Sequence, residues 1–236
     1  MVWENFPHTF FASITINFDK NTQGGVWVYE GEFSSDNLHS YKSQISGTNN
    51  LKEKSVVLFG DSISSGLMTK YESYMLYISE ANNMEFTNSA SSGHRSFQII
   101  DKLNSTDIST YDYAIVQGFV NDPPHSTPIG ELTTEGTTEF DTATFIGCLE
   151  NAIYQYKQSG TSTKLAFVLT AKGFTANDMI SKQREYWDAA ISVFEKYDVP
   201  YLNLFDVKYS TYDGVHPDFE GYLEMAQLIE EWMNTL

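Results

Sequence analysis

The sequence predicts an α/β fold in which a parallel β-sheet is covered by helices on both faces. Short apolar runs recur along the chain, as expected of strands that are buried on both faces. Segments with helical periodicity lie between these runs, and strands that alternate with helices usually pair in parallel. The 236 residues suit one such domain with a small appendage. The buried-strand runs are residues 55–59, 112–117, 164–170 and 199–204.

Residues 1–50 differ from the rest and are predicted to form a short β-rich segment. Residues 10–18 and 25–33 alternate apolar and polar side chains, and the six residues between them are typical of a turn. We expect a β-hairpin or a small β-module here, packed on the main domain or serving as a docking or sugar-binding element. Residues 34–54 are polar and form a connector.

From residue 55 onward, helices and strands are expected to alternate. One irregular stretch, residues 122–139, is too long for an ordinary connector, and loops of that length are usually functional or mobile. A further short strand is expected at residues 85–88. Helices are predicted at residues 67–81, 140–158, 177–197 and 218–233.

Composition excludes several classes of partner. The formal net charge of −17 repels phosphate backbones and anionic lipid surfaces, so neither nucleic acid nor membrane insertion is expected. No stretch approaches the roughly 20 apolar residues of a membrane span. The first residues lack the features of a signal peptide, so we expect a soluble protein that is cytoplasmic or exported after leader removal. The single cysteine, Cys148, is predicted to be a small core residue rather than a reactive thiol.

Residues able to carry chemistry follow successive predicted strands. In open parallel sheets, ligands bind at the carboxyl ends of the strands. Ser62 follows the first strand and Gly93 the short one, Asn121 follows the strand ending near residue 117, and Asp213 and His216 lie beyond the last. Each residue alone suggests an ordinary helix cap or turn, but their joint placement favours a catalytic site.

These residues resemble the motifs of a known family. The segment Gly60-Asp61-Ser62, then Gly93, Asn121 and the pair Asp213 and His216 match, in order, the four blocks of the SGNH (GDSL) hydrolases, which are esterases and lipases. The resemblance covers roughly residues 54–236. It implies a flavodoxin-like three-layer fold and a hydrolase domain over residues 51–236. One departure is Phe119, which stands where the family's third block usually has glycine.

The chemistry of these groups assigns their roles. Ser62 is the expected nucleophile and His216 the general base, and Asp213 would hold the imidazole in the right tautomer. The resemblance implies an oxyanion hole formed by the N–H groups of Ser62 and Gly93 and the amide of Asn121. The candidates for lining the substrate pocket are Asp61, His94, Phe119 and His125. We expect no metal at either of these histidines, because no second ligand accompanies them, and no cofactor.

Several alternatives are weighed against this hypothesis. A conventional α/β-hydrolase would carry a Gly-x-Ser-x-Gly elbow deeper in the chain, and a phosphate-binding loop would continue with Lys-Ser/Thr; neither motif is present here. A non-catalytic carbohydrate-binding module that retains the fold stays open, as does an acyl hydrolase of lysophospholipase or thioesterase type. The favoured substrate is a small-molecule or glycan ester, above all a short acyl ester on a carbohydrate. The oligomeric state is left open.

Overall fold

The predicted buried strands form one parallel sheet with five strands. The structure, a computed structural model, describes residues 48–174 and 176–236. The spatial order is β2-β1-β3-β4-β5, with every neighbouring pair parallel. This is the flavodoxin-like order, so the predicted fold class is confirmed. The strands are β1 (Ser55–Phe59), β2 (Glu85–Asn88), β3 (Tyr113–Gln117), β4 (Lys164–Leu169) and β5 (Tyr201–Asn203).

The three central strands carry the core of the domain. Every residue of β3 is buried, as are all residues of β1 and β4 except the first of each. Helices cover both faces of these strands, which explains why the runs are apolar throughout rather than alternating. The two edge strands, β2 and β5, are short and partly exposed.

Helices pack on both faces of the sheet and complete three layers. On one face α2 packs against α7, and on the other α5 packs against α3 and α6. The helices are α1 (Ser62–Ser65), α2 (Tyr74–Asn82), α3 (Ser96–Ser105), α4 (Asp122–His125), α5 (Phe145–Ser159), α6 (Asn177–Tyr197) and α7 (Phe219–Met233), with a 3₁₀ turn at Ile108–Thr110.

The prediction of one helix over residues 67–81 is wrong in its first half. Gly66 ends α1 in the left-handed conformation, and its N–H bonds back to the carbonyl of Ile63. Lys70 and Tyr71 also have positive φ, which no residue within an α-helix adopts. Helix α2 therefore starts only after Ser73.

Helix α3 was not among the predicted elements. Its buried residues Ile99, Ile100 and Leu103 have the spacing of an amphipathic helix, but polar residues surround them in sequence. The irregular stretch after β3 opens with the short α4 and has no further helix or strand before α5. The predicted helix over residues 140–158 begins five residues late because Thr144 caps it, accepting a bond from Gly147 N–H.

Three further predictions concern Cys148, residues 1–50 and a membrane span. Cys148 is buried within α5, and burial raises the pKa of its thiol to about 12, so its prediction as a core residue is confirmed. The β-rich segment predicted for residues 1–50 lies outside the described residues, except for its last three. Within the described part of the chain, no helix is both long and apolar enough to cross a membrane.

Candidate active site

The candidate site lies where the strand order reverses, at the carboxyl ends of β1 and β3. The chain leaves β1 through Gly60, which faces the end of β3 closely. A Cβ atom at this position would lie 2.4 Å from Ser64 Oγ and 2.7 Å from the carbonyl oxygen of Gln117. Only glycine therefore allows the turn that places Ser62 at this edge.

Helix α1 is short, and bonds from several elements hold it in place. Asp61 caps its first turn by accepting a 2.9 Å bond from Ile63 N–H. The hydroxyl of Tyr222 in α7 donates to the Ile63 carbonyl at 2.7 Å, and Asn88 at the end of β2 donates to the Ser64 carbonyl at 3.0 Å. These anchors fix the orientation of Ser62, the first residue of the helix.

A continuous chain of hydrogen bonds joins three of the predicted site residues. Ser62 Oγ lies 2.9 Å from His216 Nε2, and His216 Nδ1 lies 2.7 Å from Asp213 Oδ2. A neutral imidazole that carries its proton on Nδ1 donates to the carboxylate and accepts from the serine hydroxyl. The structure thus brings Ser62, His216 and Asp213 together as the sequence predicts.

The Asp213 carboxylate is held in its charged form by the segment that carries it. Desolvation opposes ionisation, but bonds from the N–H groups of Val215 and His216 and from the imidazole outweigh it. Together they hold the pKa of Asp213 below its usual value. The N–H groups of the turn after Asp213 therefore position its carboxylate and keep it charged, and this carboxylate orients the His216 imidazole.

The loops carrying Gly93 and Asn121 are bound to each other. Asn121 Nδ2 donates a 3.0 Å bond to the carbonyl of His94. The buried Asp122 accepts bonds from the N–H and the hydroxyl of Ser96, at 2.9 and 2.7 Å. Gly93 and Asn121, which follow β2 and β3, thus belong to one connected wall of the site.

This wall is also bonded to the turn that carries Ser62. Ser91 N–H donates to the Gly60 carbonyl at 2.9 Å, and the hydroxyls of Ser65 and Ser92 lie 3.2 Å apart. Gly93 is exposed immediately beyond these contacts. The loop containing Gly93 therefore lies directly beside α1.

Two predicted pocket residues, Asp61 and Phe119, are fully buried instead, which corrects that prediction. Asp61 points into the protein because its side chain caps α1. The ring of Phe119 packs edge-on against Phe145, with centroids 5.3 Å apart. Phe119 also has a φ of 78°, a conformation glycine adopts without strain, which accounts for the glycine usual in that family block.

The two predicted pocket histidines lie beside Asn121. His125 is exposed, and its Nδ1 is 2.8 Å from the Asn121 carbonyl oxygen. His94 is half-buried, and its buried Nδ1 has no hydrogen-bond partner. Desolvation, and then the charge of Lys102, lower the pKa of His94. Both histidines therefore lie next to the Asn121 side of the site.

A buried polar cluster beneath Ser62 was not predicted from the sequence. The side chain of Gln117 bonds to both Asp61 and Ser64, and Ser64 also bonds to the hydroxyl of Tyr74 at 2.9 Å. A glutamine that ends an otherwise apolar strand was the available signal. The cluster fixes α1 to the last residue of β3.

The loop after β4 forms a second element that the sequence analysis missed. Gly173 lies between two residues of the site loops: a Cβ there would be 3.2 Å from a methyl group of Val120 and 3.3 Å from one of Val215. The buried Gln183 of α6 holds this loop by accepting from Gly173 N–H and donating to the Ala171 carbonyl. The loop therefore lies between the segment that carries Asn121 and the segment that carries His216.

Two cavities in the described part of the chain lie away from these residues. One, of about 480 Å³, lies near the start of β1 and β3, and the other, of about 650 Å³, lies beside Tyr154 and Lys196; neither is lined by Ser62. Neither cavity therefore marks the candidate site. Residues 48–174 and 176–236 contain no group of three or more His, Cys, Asp or Glu side chains placed to hold a metal ion.

Comparison of the fold with solved structures gives clear matches at low identity. A GDSL-like lipase from Bacteroides ovatus shares 17% identity at a TM-score of 0.62, over 78% of this chain and 99% of its own. A protein from Lactobacillus plantarum shares 18% at a TM-score of 0.67, over 79% and 99%. The chain has the fold of the SGNH hydrolases. A further structure with this fold, a catalytic mutant of an acetylxylan esterase from Geobacillus stearothermophilus, shares 12% at a TM-score of 0.59, over 79% and 96%.

Among the comparisons with known proteins, only the one with solved structures gives matches. No protein-family model matches the sequence, and no curated protein matches it. The predicted flavodoxin-like three-layer architecture and the resemblance to SGNH hydrolases are both confirmed at the level of the fold.

Proposed function

We propose that the protein is a serine esterase that hydrolyses carboxylic esters through an acyl-enzyme. One observation carries this proposal: the hydrogen-bond chain from Ser62 Oγ through His216 to Asp213. A serine hydroxyl is a weak nucleophile until a neighbouring base removes its proton, and this contact places the base within reach. Ser62 is only 5% exposed, so its oxygen reacts in a partly desolvated setting.

The reaction proceeds in two half-steps. In the first, Ser62 Oγ attacks the ester carbonyl carbon while its proton passes to His216 Nε2. The bond to the alcohol oxygen then breaks, and the imidazolium returns that proton to the leaving alcohol. In the second, water attacks the acyl-enzyme with His216 again as base, which releases the carboxylic acid and restores Ser62.

Asn121 supplies one donor to the developing oxyanion. A carboxamide nitrogen carries two N–H bonds. The bond to the His94 carbonyl uses one and fixes the orientation of the amide, so the second is free to donate. The backbone N–H groups of Ser62 and Gly93 are the other proposed donors, since Gly93 lies in the loop that is bonded to the nucleophile turn.

We propose a short acyl ester on a carbohydrate as the substrate. Three structures of similar fold come from an esterase that acts on acetylated xylan, and two are described as catalytic mutants, one in a histidine and one in an aspartate three positions before it. Asp213 and His216 have the same spacing.

Turnover of para-nitrophenyl acetate tests the mechanism. Ser62→Ala and His216→Ala should each abolish turnover, whereas Ser192→Ala, on the exposed face of α6, should leave it intact. A fluorophosphonate should label Ser62, detected by mass spectrometry of the digested protein. Retained turnover in Ser62→Ala would falsify the nucleophile assignment.

The acyl part is tested with acetyl, butyryl and octanoyl esters of one alcohol. The proposal expects rates that fall with chain length. A clear preference for octanoate would favour a lysophospholipase-like or thioesterase-like enzyme. Absence of turnover with every ester, together with binding of glycans, would favour a non-catalytic carbohydrate-binding module.

A further inference from the structure

Exposed apolar side chains are concentrated beside the nucleophile. The described part of the chain has seven large apolar side chains that are well exposed, and four of them flank the Ser62–His216 pair in sequence. We call these four residues the apolar platform: Leu67, Met68, Tyr71 and Tyr212, with exposed fractions of 43%, 45%, 70% and 51%. Grouped apolar exposure usually marks a binding surface, whereas scattered single residues do not.

Backbone hydrogen bonds connect both parts of the platform to the triad. Leu67 N–H donates to the Ser62 carbonyl at 3.2 Å. Tyr212 directly precedes Asp213, and its N–H donates to the His216 carbonyl at 2.9 Å. One part of the platform therefore adjoins the nucleophile and the other adjoins its base.

The platform is built on a rigid loop. Tyr71 has a φ of 71°, uncommon for a bulky residue, so the surrounding bonds must hold it there. Thr69 Oγ1 donates to the Glu72 carbonyl at 2.6 Å, and the hydroxyl of Tyr77 donates to the buried Glu72 carboxylate at 3.0 Å. These bonds fix the backbone of Tyr71 relative to α2.

We infer that the apolar platform binds the alcohol part of the ester, a neutral pyranose ring whose C–H face stacks on the exposed tyrosine rings. This inference rests on the proposed function and names the group that lies beside the acetyl ester. Tyrosine offers an apolar ring with a polar hydroxyl, which suits the mixed surface of a sugar. The net charge of −17 opposes an anionic headgroup at the same place.

The test compares two acetyl esters with different alcohols, peracetylated xylotriose and ethyl acetate, by acetate release. Tyr71→Ala should lower the ratio of kcat/KM for xylotriose to that for ethyl acetate about tenfold, mainly through KM, because only xylotriose has a ring to stack. Tyr71→Phe should keep the ratio. Leu228→Ala, an exposed apolar residue of α7, is the matched control and should change neither rate.

Each other outcome contradicts the inference in a distinguishable way. A Tyr71→Ala variant that is folded by circular dichroism but has an unchanged ratio overturns the sugar assignment alone. A selective loss of octanoyl ester turnover in Met68→Ala would assign the platform to the acyl chain. Loss of a dimer in Tyr71→Ala, measured by light scattering, would assign it to a second copy of the chain. A wild-type protein that hydrolyses neither ester overturns the proposed function itself.

Discussion

The side-chain amide of Gln117 donates a hydrogen bond of 3.3 Å to Oδ1 of Asp61, and both residues are completely buried. The other carboxylate oxygen of Asp61 is buried without a hydrogen-bond partner. Burial raises the pKa of Asp61 to about 6, although bonds from Ile63 N–H and Gln117 oppose the shift. The carboxylate of Asp122 adds to it, and the imidazole of His216 opposes it.

Asp61→Asn should therefore change how stability depends on pH. The folded pKa lies above the ordinary value of 3.8, so the native state keeps a proton that the unfolded chain releases. The stability that the protonated Asp61 carboxyl contributes is complete below pH 3.8 and is lost as the pH rises through about 6. The free energy of unfolding of the variant, relative to wild type, should rise by up to about 3 kcal/mol between pH 4 and 8.

Urea unfolding at several pH values measures this difference directly. Asp188→Asn, at an exposed carboxylate of α6, is the matched control for the loss of one negative charge. Parallel stability profiles for wild type and Asp61→Asn would show that burial does not raise the pKa of Asp61.

Asp213→Asn should lower kcat by about 10³–10⁴ with little change in stability. The asparagine oxygen can still accept the bonds from Val215 and His216 N–H, so the turn is kept. Its amide nitrogen would donate to His216 Nδ1 and force the proton onto Nε2, where it blocks proton transfer from Ser62. Stopped-flow and steady-state ester hydrolysis measure the loss. A drop of less than about tenfold would contradict the orienting role of Asp213.

Asn121→Ala should lower kcat about 10²–10³-fold and leave KM nearly unchanged, because the donor acts on charge that develops only in the transition state. The bond to the His94 carbonyl is lost as well, so the melting temperature needs to be recorded alongside. His125→Ala, which removes the neighbouring exposed imidazole, is the comparison variant. An Asn121→Ala enzyme with raised KM and normal kcat would place Asn121 in substrate binding instead.

Gly173→Ala should reduce turnover without touching any reacting group. The new methyl would press on methyl groups of Val120 and Val215 at 3.2 and 3.3 Å, so these side chains, or the site loops that carry them, must move by a few tenths of an ångström. Overpacking of this kind costs about 1–3 kcal/mol of stability, and small displacements of catalytic groups lower kcat strongly. Unchanged kcat in Gly173→Ala would mean that the spacing of the two loops tolerates the methyl.

Lys196→Met should destabilise the protein by about 3–5 kcal/mol, because it leaves the Glu150 carboxylate buried without its cation. Glu150 is fully buried, and Lys196 also bonds to Thr133, so this ion pair fixes the long loop after α4 to α5 and α6. Guanidinium unfolding measures the change. Lys157→Met, an exposed lysine of α5, should have an effect below about 1 kcal/mol. Similar effects for both variants would rule out a structural role for the buried pair.

Local sequence predicted the strands and most of the helices, and it singled out Ser62, Asp213 and His216 as candidate catalytic residues. Burial on two faces needs continuous apolar runs, so the central strands could be recognised one at a time. The contact between Asp213 and His216 is equally local, because the two residues are three positions apart and Gly214 lies in the turn between them. The resemblance to the motifs of a family, in their order along the chain, then grouped Ser62, Gly93 and Asn121 into one predicted site.

Tertiary structure decided the features that depend on residues distant in sequence. Ser62 and His216 are 154 positions apart, and only the packing of α7 against the nucleophile turn brings them within 2.9 Å. Asp61 and Phe119 are buried against Gln117 and Phe145, which are distant from them in sequence. Hydrophobic periodicity reports which face of an element is buried, but the neighbour that covers a side chain is fixed only when the whole chain packs.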